Sequence, residues 1–125
     1  MHFVRTRFAE TDAMGVIHHA AYLPFLEEAR VRYLEHIGHP YEEVREAGVE
    51  MAVLEVMVQY RHALYFNDDV SIHLNPGAIT RTTFQLAYLL TVGEEVRATA
   101  VTVHGCVDAA GRPARLPGWV AQTLR

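Results

Sequence analysis

Asp12, Gly15, His18 and His19 fall in one short stretch, TDAMGVIHHAAY, directly ahead of a segment with helical periodicity. The first N–H groups of a helix have no intrahelical partner and carry the positive end of its dipole. A carbonyl oxygen placed there is polarised. A carboxylate beside it can attack the carbonyl carbon, or take a proton from a water that does so. That is acyl transfer or hydrolysis with one side chain, and Asp12 is the residue that would carry it. Thr11 and Asp12 are also ordinary turn and cap residues, so the spacing alone leaves both roles open. His18 and His19 are adjacent rather than four apart and no HExxH pattern occurs, so no metal site is read here.

The elements that must position this stretch follow from periodicity. From Ala20 to Ile37, apolar Tyr22, Phe25, Leu26, Ala29, Tyr33 and Ile37 recur at three- and four-residue steps, which predicts one long helix. Pro24 lacks an N–H and fits only in the first turn, where donors are unpaired anyway. Gly38 and Pro40 stop the helix. A short helical turn, Tyr41 to Ala47, closes at Gly48. Strands are expected at His2 to Phe8, Val49 to Arg61, Asp69 to Asn75 with Val70, Ile72 and Leu74 inward, around Phe84 to Leu90, and at Val96 to Val107 after a turn at Gly93. Val49 to Arg61 is apolar on both faces, as a central strand covered on two sides would be. Asp108 to Pro113 reads as a turn, and Pro117 opens a short terminal helix. One antiparallel sheet must wrap the one long helix, an α+β arrangement in a single domain, residues 1–125.

Composition excludes several classes. The 125 residues carry a net charge of −4 with no basic tract, against a nucleic-acid footprint. No apolar run approaches the roughly 20 residues of a membrane span, and MHFVRTRFAE lacks the apolar core of a secretory signal, so a cytoplasmic protein is expected. The single cysteine, Cys106, has no disulfide partner and is expected as a satisfied thiol inside a strand. His36-Ile37-Gly38-His39 spells the HIGH signature of class I aminoacyl-tRNA synthetases, but here it closes a helix instead of opening one, and the chain is too short for that catalytic domain.

Asp12-x-x-Gly15-x-x-His18-His19-x-x-Tyr22, followed by Glu27-x-x-Arg30, resembles the signature of the hotdog-fold acyl-CoA thioesterases of the 4-hydroxybenzoyl-CoA thioesterase-like family, in particular the bacterial subgroup encoded beside the Tol-Pal envelope system. Val58-Gln-Tyr60, Asn67-Asp68-Asp69-Val70 and Val107-Asp108 through Gly111-Arg112-Pro113 to Leu116-Pro117 extend it along the whole chain. The resemblance implies a hotdog fold, hydrolysis of an acyl-CoA to free acid and coenzyme A, and no metal or bound cofactor. It makes Asp12 the nucleophile or general base and puts His19 where a backbone N–H polarises the thioester carbonyl. Gly15 would let the loop approach the ligand. His18 stands where many members have tyrosine, and Tyr22 and Glu27 fit the pattern. The phosphates of coenzyme A call for arginine, and Arg61 and Arg81, near strand ends, are the candidates. Members are dimers or tetramers with the site at the protomer interface, so a homo-oligomer, such as a homotetramer, is expected. Two rivals share the substrate: a hotdog hydratase or dehydratase pairing His19 with Glu27 or Glu28, and a non-catalytic acyl-CoA or acyl-carrier binder.

Overall fold

The computed structural model describes residues 1–46 and 48–123. Six strands, β1 (His2–Arg5), β2 (Val49–Tyr60), β3 (Asp69–Ile79), β4 (Thr83–Val92), β5 (Glu95–Asp108) and β6 (Pro113–Ala114), accompany three helices, α1 (Tyr22–His36), α2 (Tyr41–Glu46) and α3 (Gly118–Thr123). The strands form one antiparallel sheet in the order β1-β3-β4-β5-β2, with β6 added beside β5. The inward side chains of β3 and β4, Val70, Ile72, Phe84, Leu86 and Leu90, are fully buried, and so are Leu26 and Leu34 of α1. The sheet therefore packs its alternating apolar face on the apolar stripe of α1, as periods of two and 3.6 require.

The long helix lies where the sequence puts it. A 3-10 turn, His19–Ala21, leads into α1, and Pro24 is the third residue of α1, inside the turn whose N–H groups need no partner. Gly38, at φ +86, ends it. His39 then stacks on Trp119 with ring centroids 4.1 Å apart, so the HIGH residues serve packing. Helix α2 covers the short helical turn to Glu46; its expected last residue, Ala47, lies outside the described residues. Cys106 is a buried thiol facing the core, its pKa raised by burial.

Three expectations are corrected. β1 stops at Arg5 rather than Phe8, because buried Thr6 turns inward: its hydroxyl donates to the Tyr65 carbonyl and accepts the Asp68 N–H at 2.8 Å. Phe8–Glu10 forms a single 3-10 turn, held by the Arg7 N–H on the Glu10 carboxylate at 2.7 Å. β3 runs on to Ile79, tolerating Pro76 through an irregularity in its pairing with β4. The largest change concerns β2. It is the edge of the sheet, paired with β5 alone, and Val53, Leu54, Val56, Met57 and Tyr60 are exposed. Two apolar faces reported that both faces need cover; the other strands of this chain do not supply it.

Candidate active site

Residues 10–18 make a small hairpin that carries Asp12. The Glu10 carbonyl accepts the His18 N–H at 2.7 Å, Thr11 bridges Ile17, and the Asp12 N–H donates to the Val16 carbonyl at 2.8 Å. Asp12 is thus paired with Val16, three residues ahead of the helical turn that starts at His19. Inside the turn its Oδ1 accepts the Met14 N–H at 2.8 Å and the Val16 N–H at 3.3 Å. That is the turn-capping role of an aspartate. Its Oδ2 makes no hydrogen bond among the described residues, so one oxygen shapes the loop and the other is free to react. The cap and the catalytic role are compatible, divided between two atoms. Gly15 sits at φ +82, with open space where a Cβ would be, so within the protomer glycine is needed for its backbone angle.

The hairpin rests on the segment between β2 and β3. Ile17 donates its N–H to the Leu64 carbonyl at 2.8 Å, and Val16 bridges Tyr65. That segment is pinned in turn by Arg97, whose Nη1 donates to the Ala63 carbonyl at 2.6 Å and to Asp68 Oδ2 at 3.2 Å. Asp68 Oδ2 also accepts the Tyr65 N–H at 2.8 Å. This partly buried ion pair closes the loop on itself, with its carboxylate sharing charge between a cation and an amide.

At the helix start, the His18 ring faces back onto the chain. Its Nδ1 accepts the Ala20 N–H at 3.0 Å, and its carbonyl accepts the Ala21 N–H at 2.9 Å. The ring stacks on His19 at 4.2 Å. Tyr60, at the end of β2, donates its hydroxyl to the His19 carbonyl at 3.1 Å and meets the Tyr22 ring edge-on at 4.9 Å. Tyr22 is buried, and burial raises its phenol pKa. It packs the helix start onto the core. The His19 N–H, by contrast, has no partner among the described residues. A carboxylate oxygen on the clamped hairpin and the N–H of the residue that follows it are therefore both without a hydrogen-bond partner among the described residues, and these are the two kinds of group that carbonyl addition uses.

The remaining candidates separate. Glu28 approaches His2 of β1, 3.4 Å from its Nε2, and Glu27 is exposed; neither forms a hydrogen bond with His19 among the described residues. The histidine–carboxylate pair of the hydratase rival is not assembled within the protomer. Arg61 follows Tyr60 directly, its N–H on the Arg97 carbonyl at 2.9 Å and its guanidinium on Gln59, two residues back, at 3.3 Å. Arg81 lies in the turn after β3, which starts beside the pinned segment and runs roughly 30 Å away from it at about 3.3 Å per residue. There it shares a cavity of about 450 Å³ with Arg115, Leu116 and Pro117. Tyr60 and the Arg97–Asp68 pair are the residues whose part sequence reasoning missed. Tyr60 and Asp68 stand in quoted motifs, but their partners are 41 and 29 residues distant, which no spacing reveals.

Comparison with known proteins adds to this geometry. Residues 6–124 match the thioesterase-like superfamily. A hypothetical protein of Aquifex aeolicus superposes with a TM-score of 0.93 at 33% identity, covering 99% of this chain and 98% of that one. The 1,4-dihydroxy-2-naphthoyl-CoA hydrolase of Nostoc punctiforme is 32% identical over 94% of this chain and 81% of its own length. The DHNA-CoA thioesterase of Staphylococcus aureus superposes with a TM-score of 0.89 at 25% identity, covering 97% and 83%.

Proposed function

Since this chain belongs to the thioesterase-like superfamily of hotdog-fold proteins and is a thioester hydrolase, we propose that its substrate is an acyl-CoA, cleaved with Asp12 as the reacting carboxylate and the His19 N–H as donor to the thioester oxygen. The observation that carries this reading is the division of labour at Asp12: Oδ1 is held by Met14 and Val16, while Oδ2 and the helix-start N–H just after the clamped hairpin have no partner among the described residues. Negative charge growing on the carbonyl oxygen meets that N–H and the positive end of α1. Oδ2 adds to the carbonyl carbon, and once the thiolate has left water hydrolyses the mixed anhydride formed on Asp12, or Oδ2 deprotonates a water that itself adds. Coenzyme A leaves as a thiolate, and the second product is the free acid. Thiolate is a good leaving group, so no strong general acid, metal or cofactor enters the scheme. No described helix is long and apolar enough to cross a membrane, and a cytoplasmic site of action suits a coenzyme A substrate.

Arg61, beside Tyr60, is the nearer candidate for the coenzyme A phosphates; Arg81 would serve a site only on a neighbouring copy. The uncovered β2 edge supports a homo-oligomer, dimer or tetramer, in which a second protomer covers the exposed Val56, Met57 and Tyr60. Membership of the Tol-Pal-associated subgroup rests on the sequence resemblance, that of residues 12–30 together with the later motifs through Pro117. The test is thiol release from a panel of short, long and aromatic acyl-CoA substrates by the parent and by Asp12→Asn, which removes the charge and keeps the size. A positioned acid–base group is worth ~10²–10⁴-fold, and a fall of that order in a folded variant is expected. An equally active Asp12→Asn would return Asp12 to its loop-capping role.

A further inference from the structure

Four hydrogen bonds converge on the peptide units that flank the His19 N–H. The His18 carbonyl accepts from Ala21, so the peptide that bears the His19 N–H is held through its own oxygen. The next peptide is held at both ends: its carbonyl, that of His19, accepts the Tyr60 hydroxyl at 3.1 Å as well as the Tyr22 N–H, and its N–H, that of Ala20, donates to His18 Nδ1 at 3.0 Å. The helix start would otherwise offer two adjacent donors, at His19 and Ala20. The His18 ring occupies the second. What is left is one N–H whose direction is set by its neighbours on either side.

We propose that Tyr60 and His18 are positioning residues, which fix the helix-start backbone and leave the His19 N–H as the single donor for the thioester oxygen. Neither acts as acid or base. An oxyanion donor works by being aimed before charge develops, so a peptide free to rotate loses part of its stabilisation in the transition state while still admitting substrate. Tyr60 is suited to the task because its ring is braced edge-on by buried Tyr22, while its hydroxyl reaches the backbone from a different element. For His18, capping requires a ring nitrogen that accepts, so the ring carries its proton on Nε2. Asparagine caps in the same way and has no acid–base function, whereas alanine does neither.

The inference rests on the proposed role of the His19 N–H, and the experiment separates the two. Tyr60→Phe, His18→Asn and His18→Ala are assayed for kcat and KM on the best acyl-CoA found for the parent, with amide hydrogen exchange at Ala20 followed in parallel. Loss of one such hydrogen bond is worth about tenfold. The expected result is kcat down about tenfold in Tyr60→Phe and His18→Ala with KM little changed, near-parent kcat in His18→Asn, and faster Ala20 exchange in His18→Ala alone of the two His18 variants. A KM effect with kcat preserved would overturn the proposal by making these residues substrate contacts. So would equal damage in His18→Asn and His18→Ala, which would make the imidazole itself a participant, or parent behaviour in Tyr60→Phe and His18→Ala. Exchange at Ala20 reads the His18 cap even if no thioester is hydrolysed, so failure of the reaction scheme leaves a separate mark.

Discussion

The buried ring of His104 sets a pH dependence at the scale of one residue. Its Nε2 lies 2.6 Å from the Thr102 hydroxyl, which lies 2.7 Å from the hydroxyl of Tyr88, and Phe84 stacks on the ring at 5.0 Å. Burial, and then the positive charge of Arg30, push its pKa down from 6.5 to about 4. The folded protein therefore holds His104 neutral where the unfolded chain, titrating near 6.5, takes up a proton. Above pH 6.5 neither form binds it and stability is unaffected; between 6.5 and 4 stability falls as pH falls, by up to roughly 3 kcal/mol. Below 4 the loss is complete. Urea midpoints measured at pH 7.5 and pH 4.5 should drop more for the parent than for His104→Asn, and equal drops would remove His104 from the account. Strand period puts Thr102 and His104 on one face of β5. Tyr88, on β4, meets them only through the pairing of the two strands, so the network is not legible in the sequence.

At the scale of an element, the hairpin of residues 10–18 shows which part of the candidate site can be read from residue types. A capping aspartate three residues before a glycine announces a turn, and the turn is there, with Asp12 Oδ1 on two amides and Gly15 at φ +82. Its anchors cannot be read that way. The Ile17 N–H finds Leu64, whose neighbours Ala63 and Tyr65 are held by Arg97 and Asp68, all distant in sequence from the hairpin. The angle at Gly15 gives the prediction. A left-handed residue other than glycine costs roughly 1–2 kcal/mol, with asparagine the best tolerated. Gly15→Ala should relax the turn and draw the Met14 and Val16 amides away from Asp12 Oδ1, lowering kcat/KM several-fold for a small fall in melting temperature. Gly15→Asn should keep most of both. If alanine matches the parent in turnover, the turn does not aim the carboxylate.

At the scale of the whole molecule, β2 is the element whose pattern was read correctly and whose place was not. Apolar residues on both faces call for cover on both, and a sequence cannot say by what. Within the chain, the β2–β3 segment carries the path across, so β2 pairs with β5 at the edge and β3 joins the sheet between β1 and β4. Met57 is then 62% exposed and Val56 43%, on a strand of twelve residues with one side unpaired. A long, apolar, unpaired edge invites association, and a second copy meeting it with its own β2 would complete the sheet. Light scattering on the parent should give a multiple of the protomer mass, with a melting temperature that rises with protein concentration. Met57→Arg should cost the isolated protomer little, since surface substitutions are usually within about 0.5 kcal/mol. Across an edge-to-edge pairing it sets two like charges close together, and it should drive the protein toward monomer with loss of thiol release although Asp12 is untouched. A parent that is monomeric at micromolar concentration, or a monomeric Met57→Arg with full activity, would mean that one protomer holds the whole site and that β2 is covered by something other than its own copy.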